Sequence, residues 1–153
     1  MLRITTLLAA AAFAAPAMAQ EPSGDAEAGE STFRQCQTCH VVQSPDGETI
    51  AGRGPANRQA PNLYGVVGRQ AGIEDFRYSD DMVDAGEAGL NWTEEEFVAY
   101  VQDPTGYLRE YLDDNRARGK MSFRVRSEED AADLYAYLAQ FGAQEMEEEG
   151  EGS

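Results

Sequence analysis

The chain has very few side chains of the kinds that bind transition metals. Its 153 residues include two cysteines and one histidine. A structural zinc site needs four ligands, and these three side chains could fill one only with recruited carboxylates. Because all three lie within residues 36–40, any chemistry based on them must be local to that short segment.

Basic residues are also scarce, and most of the charge is acidic. The sequence has 12 lysines and arginines against 28 aspartates and glutamates, which gives a formal net charge of −16 at pH 7. Lys120 is the only lysine. Phosphates repel a chain with this balance, so nonspecific binding to nucleic acid is excluded.

The sequence has no apolar run long enough to cross a bilayer. Residues 4–15 form an apolar run after Arg3, shorter than the ~20 residues of a membrane-spanning helix. Pro16 interrupts it, and Ala17-Met18-Ala19 has the small-x-small pattern of a cleavage site. We therefore predict that residues 1–19 are a cleaved secretory signal and that the mature protein is exported and soluble. The alternative is an uncleaved membrane anchor.

The two cysteines and the histidine form the sequence Cys36-Gln37-Thr38-Cys39-His40. Cys-x-x-Cys-His is the attachment pattern of a c-type haem. Each thiol adds to one vinyl group, one helical turn bridges both, and the imidazole that follows can reach the iron. Bacteria attach haem covalently outside the cytosol, which agrees with the predicted signal and with a periplasmic location.

Three other interpretations fit the motif less well. A thioredoxin-like dithiol requires a βαβ setting, and no strand-like run precedes Cys36. A zinc site lacks a fourth ligand of the usual kind. A disulfide across two residues is strained and stabilises little. We therefore predict one covalent haem c with its iron.

The rest of the sequence predicts short helices joined by turn-rich loops, in one domain over residues 20–142. Residues 44–60 and 79–90 are rich in turn-forming residues or acids and are expected to be loops. Residues 143–153 contain five glutamates and no base, which predicts a disordered acidic tail. With no alternating strand pattern, the predicted fold is all-α. The expected helices run from Gly24 to Thr38, from a capping box at Thr93 and Glu96 to Pro104, and from Ser127 to Gly142.

These residues leave the second axial ligand of the iron open. With one histidine, ligation by two histidines is excluded, so the other face takes methionine, lysine, water or nothing. Met121 lies in a segment between two helices, where a loop can lay a thioether over the haem. Met82, in a polar acidic stretch, is the next candidate, and Met146 in the tail is a poor one. Histidine with methionine raises the reduction potential and fills both axial positions, which favours an electron carrier over an enzyme.

Many short segments, in the same order, resemble bacterial class I cytochromes c of the c2/c-550 kind, relatives of mitochondrial cytochrome c. The resemblance extends from Gly24 to about Gly142 and implies the class I fold, with short helices and loops around one haem. It also implies that the first and last helices cross at Gly29. Its marks are Gly24-Asp25-Ala26-Glu27-Ala28-Gly29, the Cys36–His40 motif, Pro61-Asn62-Leu63-Tyr64-Gly65, Gly68-Arg69, Phe76-Arg77-Tyr78-Ser79, Leu90-Asn91-Trp92-Thr93, Tyr100, Asp103-Pro104, Lys120-Met121-Ser122-Phe123 and residues 134–138.

The resemblance assigns the bonds to the haem and its iron. Cys36 and Cys39 would tether the haem, and His40 and Met121 would be the axial ligands. The carbonyl of Pro61 would accept a hydrogen bond from the second ring nitrogen of His40 and so fix its tautomer.

The resemblance also implies polar contacts to the haem edge. Tyr78 and Trp92 would donate hydrogen bonds to a propionate, Arg69 would offset its charge, and Tyr100 would lie near the methionine sulfur. Gly119 stands where mitochondrial relatives have a threonine that helps to hold a propionate.

Six of the twelve basic residues lie from Arg109 to Arg126, which makes this segment net positive in an acidic protein. We predict a basic collar at the exposed haem edge that guides transient, salt-sensitive docking of redox complexes. The alternative is a solvated loop whose arginines pair with neighbouring acids. The expected donor is a bc1-type complex and the expected acceptor an oxidase, photosynthetic reaction centre or reductase, with the protein a monomer. The predicted collar consists of Arg116, Arg118, Lys120, Arg124 and Arg126.

Together these patterns predict a soluble one-electron carrier that transforms no substrate. One alternative is a haem with an open or labile sixth site, as in a peroxidase-like enzyme or a gas sensor. Carbon monoxide distinguishes the two, because an open site binds it readily. A second alternative, a haem-free dithiol oxidoreductase, would lack a c-type absorption spectrum that survives acid–acetone extraction.

Overall fold

The computed structural model describes residues 21–53 and 59–142. These residues form five α-helices and one antiparallel hairpin of two short strands. The predicted all-α class is confirmed, with the small hairpin as an addition. The predicted signal and acidic tail lie outside the described residues. The elements are α1 (Ala26–Cys36), β1 (Val42–Gln43), β2 (Thr49–Ala51), α2 (Asp80–Glu87), α3 (Glu94–Gln102), α4 (Pro104–Tyr111) and α5 (Glu128–Leu138).

Helices α1 and α5 cross in direct backbone contact at Gly29. A Cβ at this position would lie 1.9 Å from the carbonyl oxygen of Asp133, so no larger residue fits without moving a helix. Beside the crossing, the rings of Phe33 and Tyr137 pack with their centroids 5.4 Å apart. The backbone N–H of Asp25 donates to the Asp133 carboxylate at 2.7 Å. The crossing holds the last turn of α1, and with it the cysteine motif, against the core.

A single residue, Asp103, separates α3 from α4. Its side chain accepts a backbone N–H of α4 at 3.2 Å, and Pro104 takes the first helical position. Thr93 caps α3 by accepting the Glu96 N–H at 3.4 Å. The predicted return bond of a capping box does not form between these two described residues: the Thr93 N–H donates to the Asn91 carbonyl at 2.8 Å, and the Glu96 carboxylate accepts the Tyr107 hydroxyl.

Helix α2 and the hairpin contradict the prediction that residues 44–60 and 79–90 are loops throughout. Ser79 starts α2 by accepting the Met82 N–H at 3.3 Å. Gly86 in the middle of the segment favoured a loop on sequence grounds. In the structure a Cβ there would lie 2.0 Å from the carbonyl oxygen of Ala71, so this glycine permits close packing of α2.

Helix α5 begins as predicted, with Ser127 accepting the Asp130 N–H at 3.1 Å. Tyr135 is part of its buried face, and its hydroxyl donates to the Trp92 carbonyl at 3.1 Å. Across the described part of the chain, no helix is both long enough and apolar enough to span a membrane. The buried face of α5 consists of Ala131, Leu134, Tyr135, Ala136, Tyr137 and Leu138.

Candidate haem site

The Cys-x-x-Cys-His motif forms a tight turn at the end of α1. The Cys36 carbonyl accepts the backbone N–H groups of Cys39 at 3.0 Å and of His40 at 2.9 Å. Cys36 is buried and Cys39 is exposed, and no disulfide joins them. Burial, with a smaller contribution from Cys39, raises the pKa of Cys36 to about 11, so this thiol is neutral at pH 7. The turn brings two thiols and an imidazole to one place.

His40 is held in one tautomer by the backbone. Its Nδ1–H donates to the Pro61 carbonyl oxygen at 2.9 Å, because a carbonyl can only accept. Burial lowers the pKa of His40 more than this hydrogen bond raises it. The ring is therefore a neutral imidazole whose Nε2 lone pair is available to a metal.

A cavity of about 460 Å³ with a mainly apolar lining lies beside the motif. Its walls come from the motif, the turn after Pro61, the start of α2, helix α3 and the segment between α4 and α5. A flat apolar cofactor fits such a lining. The cavity brings together every residue predicted to contact the haem, namely Cys36, Cys39, His40, Pro61, Arg69, Tyr78, Trp92, Tyr100 and Met121.

Two thioethers line the same cavity. Met121 is half-buried, on the irregular segment between α4 and α5. Met82, placed by the sequence in a polar stretch, is only 5% exposed and belongs to the core at the first turn of α2. Met82 is thus a buried core side chain as well as a cavity residue, whereas Met121 lies on a loop that can adapt to a ligand.

Aromatic side chains supply polar groups to the cavity. The Trp92 and Tyr100 rings lie 4.9 Å apart between centroids. Burial raises the pKa of Tyr78 to about 12 and also raises the pKa of Tyr100, so both phenols are uncharged hydrogen-bond donors at neutral pH. Gly119 lies next to the Tyr100 hydroxyl, because a Cβ at Gly119 would be 3.7 Å from it. This chemistry suits the donor roles predicted for Tyr78 and Trp92.

Sequence comparison finds relatives that match over most of their length. The chain is 64% identical over 124 residues to cytochrome c2 of Rhodovulum adriaticum, covering 80% of this chain and 97% of that protein. It is 55% identical over 141 residues to cytochrome c2 of Cereibacter sphaeroides, covering 90% and 94%. Cytochrome c-550 of Paracoccus versutus is 43% identical over 140 residues, covering 90% and 86%. A scan against protein-family models finds no match.

The solved structures most similar to this fold include cytochromes c2. Cytochrome c2 from Rhodobacter sphaeroides superposes with a TM-score of 0.74 at 53% identity, covering 78% of this chain and 98% of that one. Cytochrome c2 from Paracoccus denitrificans gives 0.72 at 38% identity, covering 80% and 99%. The chain belongs to the bacterial class I cytochromes c. As a member of this family it is an electron-transfer protein and not an enzyme, and it carries one covalent haem c with iron.

The residues of this cytochrome fit that group. Two free thiols one turn apart suit covalent attachment, and the neutral imidazole and the thioethers are suitable axial ligands. When bound, the haem supplies an iron that gains and loses one electron. The protein's part is to hold the group and shield it from water.

Arg69 lines the cavity of the cytochrome but is already paired. Its Nη1 donates to the Glu74 carboxylate at 2.8 Å, and its remaining contacts are backbone carbonyls. The Arg69 guanidinium, which was predicted to offset the charge of a haem propionate, therefore already forms an ion pair with the Glu74 carboxylate. No local sequence pattern indicated this partner.

The five residues of the predicted collar are all exposed, but they differ in their contacts. Arg116 pairs with Asp114 at 3.5 Å and Arg124 with Asp103 at 2.7 Å, as the solvated-loop alternative expects. The Lys120 ammonium donates to a backbone carbonyl and lies 5.5 Å from the centre of the Phe76 ring. The guanidinium groups of the remaining two, Arg118 and Arg126, form no ion pair among the residues that the structure describes, although the backbone N–H of Arg118 donates to the Asp81 carboxylate at 2.7 Å.

Proposed function

We propose that this cytochrome carries single electrons between redox complexes of the periplasm, with Cys36 and Cys39 as haem tethers and His40 and Met121 as axial ligands. The observation that carries this assignment is one shared cavity, in which the thiols, the oriented imidazole and the Met121 thioether all take part. His40 and Met121 would supply a nitrogen and a sulfur ligand, a pair that would let the iron change oxidation state with little rearrangement. An aqueous substrate then has no free coordination position.

Spectroscopy of the purified protein tests this function. We expect a c-type absorption spectrum that survives acid–acetone extraction, and little carbon monoxide binding at neutral pH. A spectrum lost on extraction would show that the thiols do not hold the haem. Ready binding of carbon monoxide would indicate an open or labile sixth position, and with it the enzyme or sensor class.

We further propose that residues 1–19 are cleaved during export and that the mature cytochrome acts as a soluble monomer. The relatives named cytochrome c2 and c-550 and the c-type attachment motif support export. Mass spectrometry of the periplasmic fraction tests the cleavage. The expected mature N-terminus is Gln20, and an intact Met1 in the membrane fraction would contradict it.

Docking is assigned to the exposed basic residues 116–126. Two of the five, Arg116 and Arg124, pair with aspartates, so the guanidinium groups of Arg118 and Arg126, together with the Lys120 ammonium, are the cations of this segment without a carboxylate ion pair among the described residues. In a protein with a formal charge of −16, such a patch orients an approaching acidic surface. The donor is expected to be a bc1-type complex and the acceptor an oxidase, reaction centre or reductase.

The docking proposal is tested with Arg118→Gln/Arg126→Gln. Its charge-matched control is Arg34→Gln/Arg53→Gln, which alters exposed arginines outside this segment. With an isolated membrane complex as partner, the first variant should slow bimolecular electron transfer at low salt and match wild type at high salt. Equal rates for both double variants would mean that net charge, and not this patch, steers the approach.

A further inference from the structure

The Arg69 guanidinium is bound by three acceptors at the edge of the haem cavity. Nη1 donates to the Glu74 carboxylate and to the Tyr64 carbonyl, both at 2.8 Å, and Nη2 donates to the Asn62 carbonyl at 3.1 Å. The Arg69 and Glu74 side chains are 15% and 27% exposed. Water therefore screens this pair less than it screens an ion pair on the open surface.

Glu74 lies just after a turn that packs on α2. The chain turns between Arg69 and Glu74, and Gly72 in that turn has a φ of +75°. A Cβ at Gly72 would lie 3.0 Å from the Met82 carbonyl oxygen, so the turn is packed directly on α2. Glu74 thus reaches Arg69 from a turn that is packed on α2 at Gly72.

We propose that Glu74 is a positioning residue that fixes the Arg69 guanidinium on the turn at residues 62–64 and lowers the reduction potential of the haem iron. This inference rests on the proposed electron-carrier function and adds a residue that sets the potential at which the carrier works. Glu74 acts through Arg69, which lines the cavity.

The direction of the effect follows from charge. Ferric iron carries one more positive charge than ferrous iron, so a nearby negative charge stabilises the ferric state and a nearby positive charge destabilises it. With Glu74 bonded to Nη1, the positive charge of Arg69 is largely offset. Without Glu74, the full guanidinium charge acts on the haem and its propionates.

The same contacts connect Glu74 to the iron ligand His40. Arg69 binds carbonyls of the turn that directly follows Pro61, and Pro61 accepts the His40 hydrogen bond. Loss of the Glu74 carboxylate removes one of the contacts that hold Arg69 on this turn. A loss of positioning is therefore measurable separately from a loss of charge.

The test is the midpoint potential of the holo-cytochrome, measured for Glu74→Gln and for Asp75→Asn. Both variants remove one negative charge at neighbouring positions, but only Glu74 bonds to Arg69. We expect a higher potential for Glu74→Gln than for both wild type and Asp75→Asn. Because glutamine can still accept the Arg69 N–H, the unfolding midpoint of this variant should stay near wild type.

Two further variants separate position from charge. Glu74→Ala removes the acceptor as well as the charge, so it should raise the potential and also lower the unfolding midpoint. In an Arg69→Gln background, Glu74→Gln should shift the potential less, because an unpaired carboxylate is free to turn to water and be screened.

The outcomes are distinguishable. A normal c-type spectrum with equal potentials for Glu74→Gln and Asp75→Asn would overturn the role of Glu74 and leave the electron-carrier proposal intact. A shift that is the same with and without Arg69 would also overturn it, because the effect would not pass through the guanidinium. Absence of a c-type spectrum in wild type would instead refute the proposed function.

Discussion

His40 and Pro61 are joined by a hydrogen bond of 2.9 Å from the ring Nδ1–H to the backbone carbonyl. The bond decides which ring nitrogen carries the proton, and it leaves Nε2 for the iron. The acceptor belongs to the main chain, so substitution of the side chain at this position does not remove it. The orientation of the imidazole is thereby built into the fold.

Replacing Pro61 with alanine should therefore leave the haem spectrum and the reduction potential unchanged. The unfolded chain gains conformational freedom, which should lower the free energy of unfolding by about 0.4–1 kcal/mol. Denaturant titration, with NMR detection of the Nδ1–H proton, checks both parts. A changed potential would show that the proline ring itself contributes to the site.

The two cavity methionines should respond differently to replacement by leucine. Met121→Leu removes the proposed sulfur ligand, so the potential should fall and carbon monoxide should bind. Met82→Leu conserves volume in the core, so it should cost less than about 1.5 kcal/mol and leave the potential unchanged. Spectroelectrochemistry decides the assignment, and the reverse pattern would make Met82 the ligand.

Gly29→Ala should be far more destabilising than a substitution at an exposed position of α1. The added methyl would meet the Asp133 carbonyl at 1.9 Å, and a backbone group cannot yield as a flexible side chain does. We expect a loss of about 1–3 kcal/mol or more. Exposed Glu30, replaced by alanine, is the control and should change stability by less than about 0.5 kcal/mol. Similar unfolding midpoints for the two variants would contradict the close crossing.

Stability should decline at alkaline pH partly through Tyr78. Burial raises the pKa of this phenol from the usual value of 10.0 to about 12, so the folded state holds its proton longer than the unfolded chain. The contribution is complete below pH 10 and is lost as the pH rises to about 12. Tyr78→Phe should flatten the fall in denaturant midpoint between these limits. Tyr111→Phe is the control variant. If the denaturant midpoint of Tyr78→Phe falls with pH as steeply as that of the control and of wild type, the assignment to Tyr78 is refuted.

The part of the candidate haem site that was easiest to predict is the Cys36–His40 motif, because these residues are adjacent in the sequence. The residues from Cys36 to His40 lie within one turn, and the spacing of thiols and imidazole alone specifies the chemistry. Met121 is remote from them, so the residues alone favoured it for its place on a segment between two helices, and the family resemblance assigned it as an axial ligand. The cavity in the structure brings all of these side chains together.

The features that were missed depend on tertiary contacts. Gly86 lowers helix propensity, but in α2 it permits close packing on the Ala71 carbonyl, a tertiary contact that the sequence does not reveal. Met82 has polar neighbours in the sequence, but its position on α2 buries its side chain. The pairing of Arg69 with Glu74 requires a turn whose geometry no short motif encodes. Glu96 had two possible partners, and the choice of the Tyr107 hydroxyl depends on where α4 lies.

The contact between Gly29 and Asp133 also has a consequence for biogenesis. Among the helices and strands that the structure describes, α1 packs on α5, so α1 cannot be fully buried until the last helix is available. The thiols of Cys36 and Cys39, at the end of α1, can therefore remain accessible to the attachment machinery until α5 is in place. Covalent haem attachment can therefore precede the packing of α1 on α5. The attached haem can then be the nucleus around which these two helices pack.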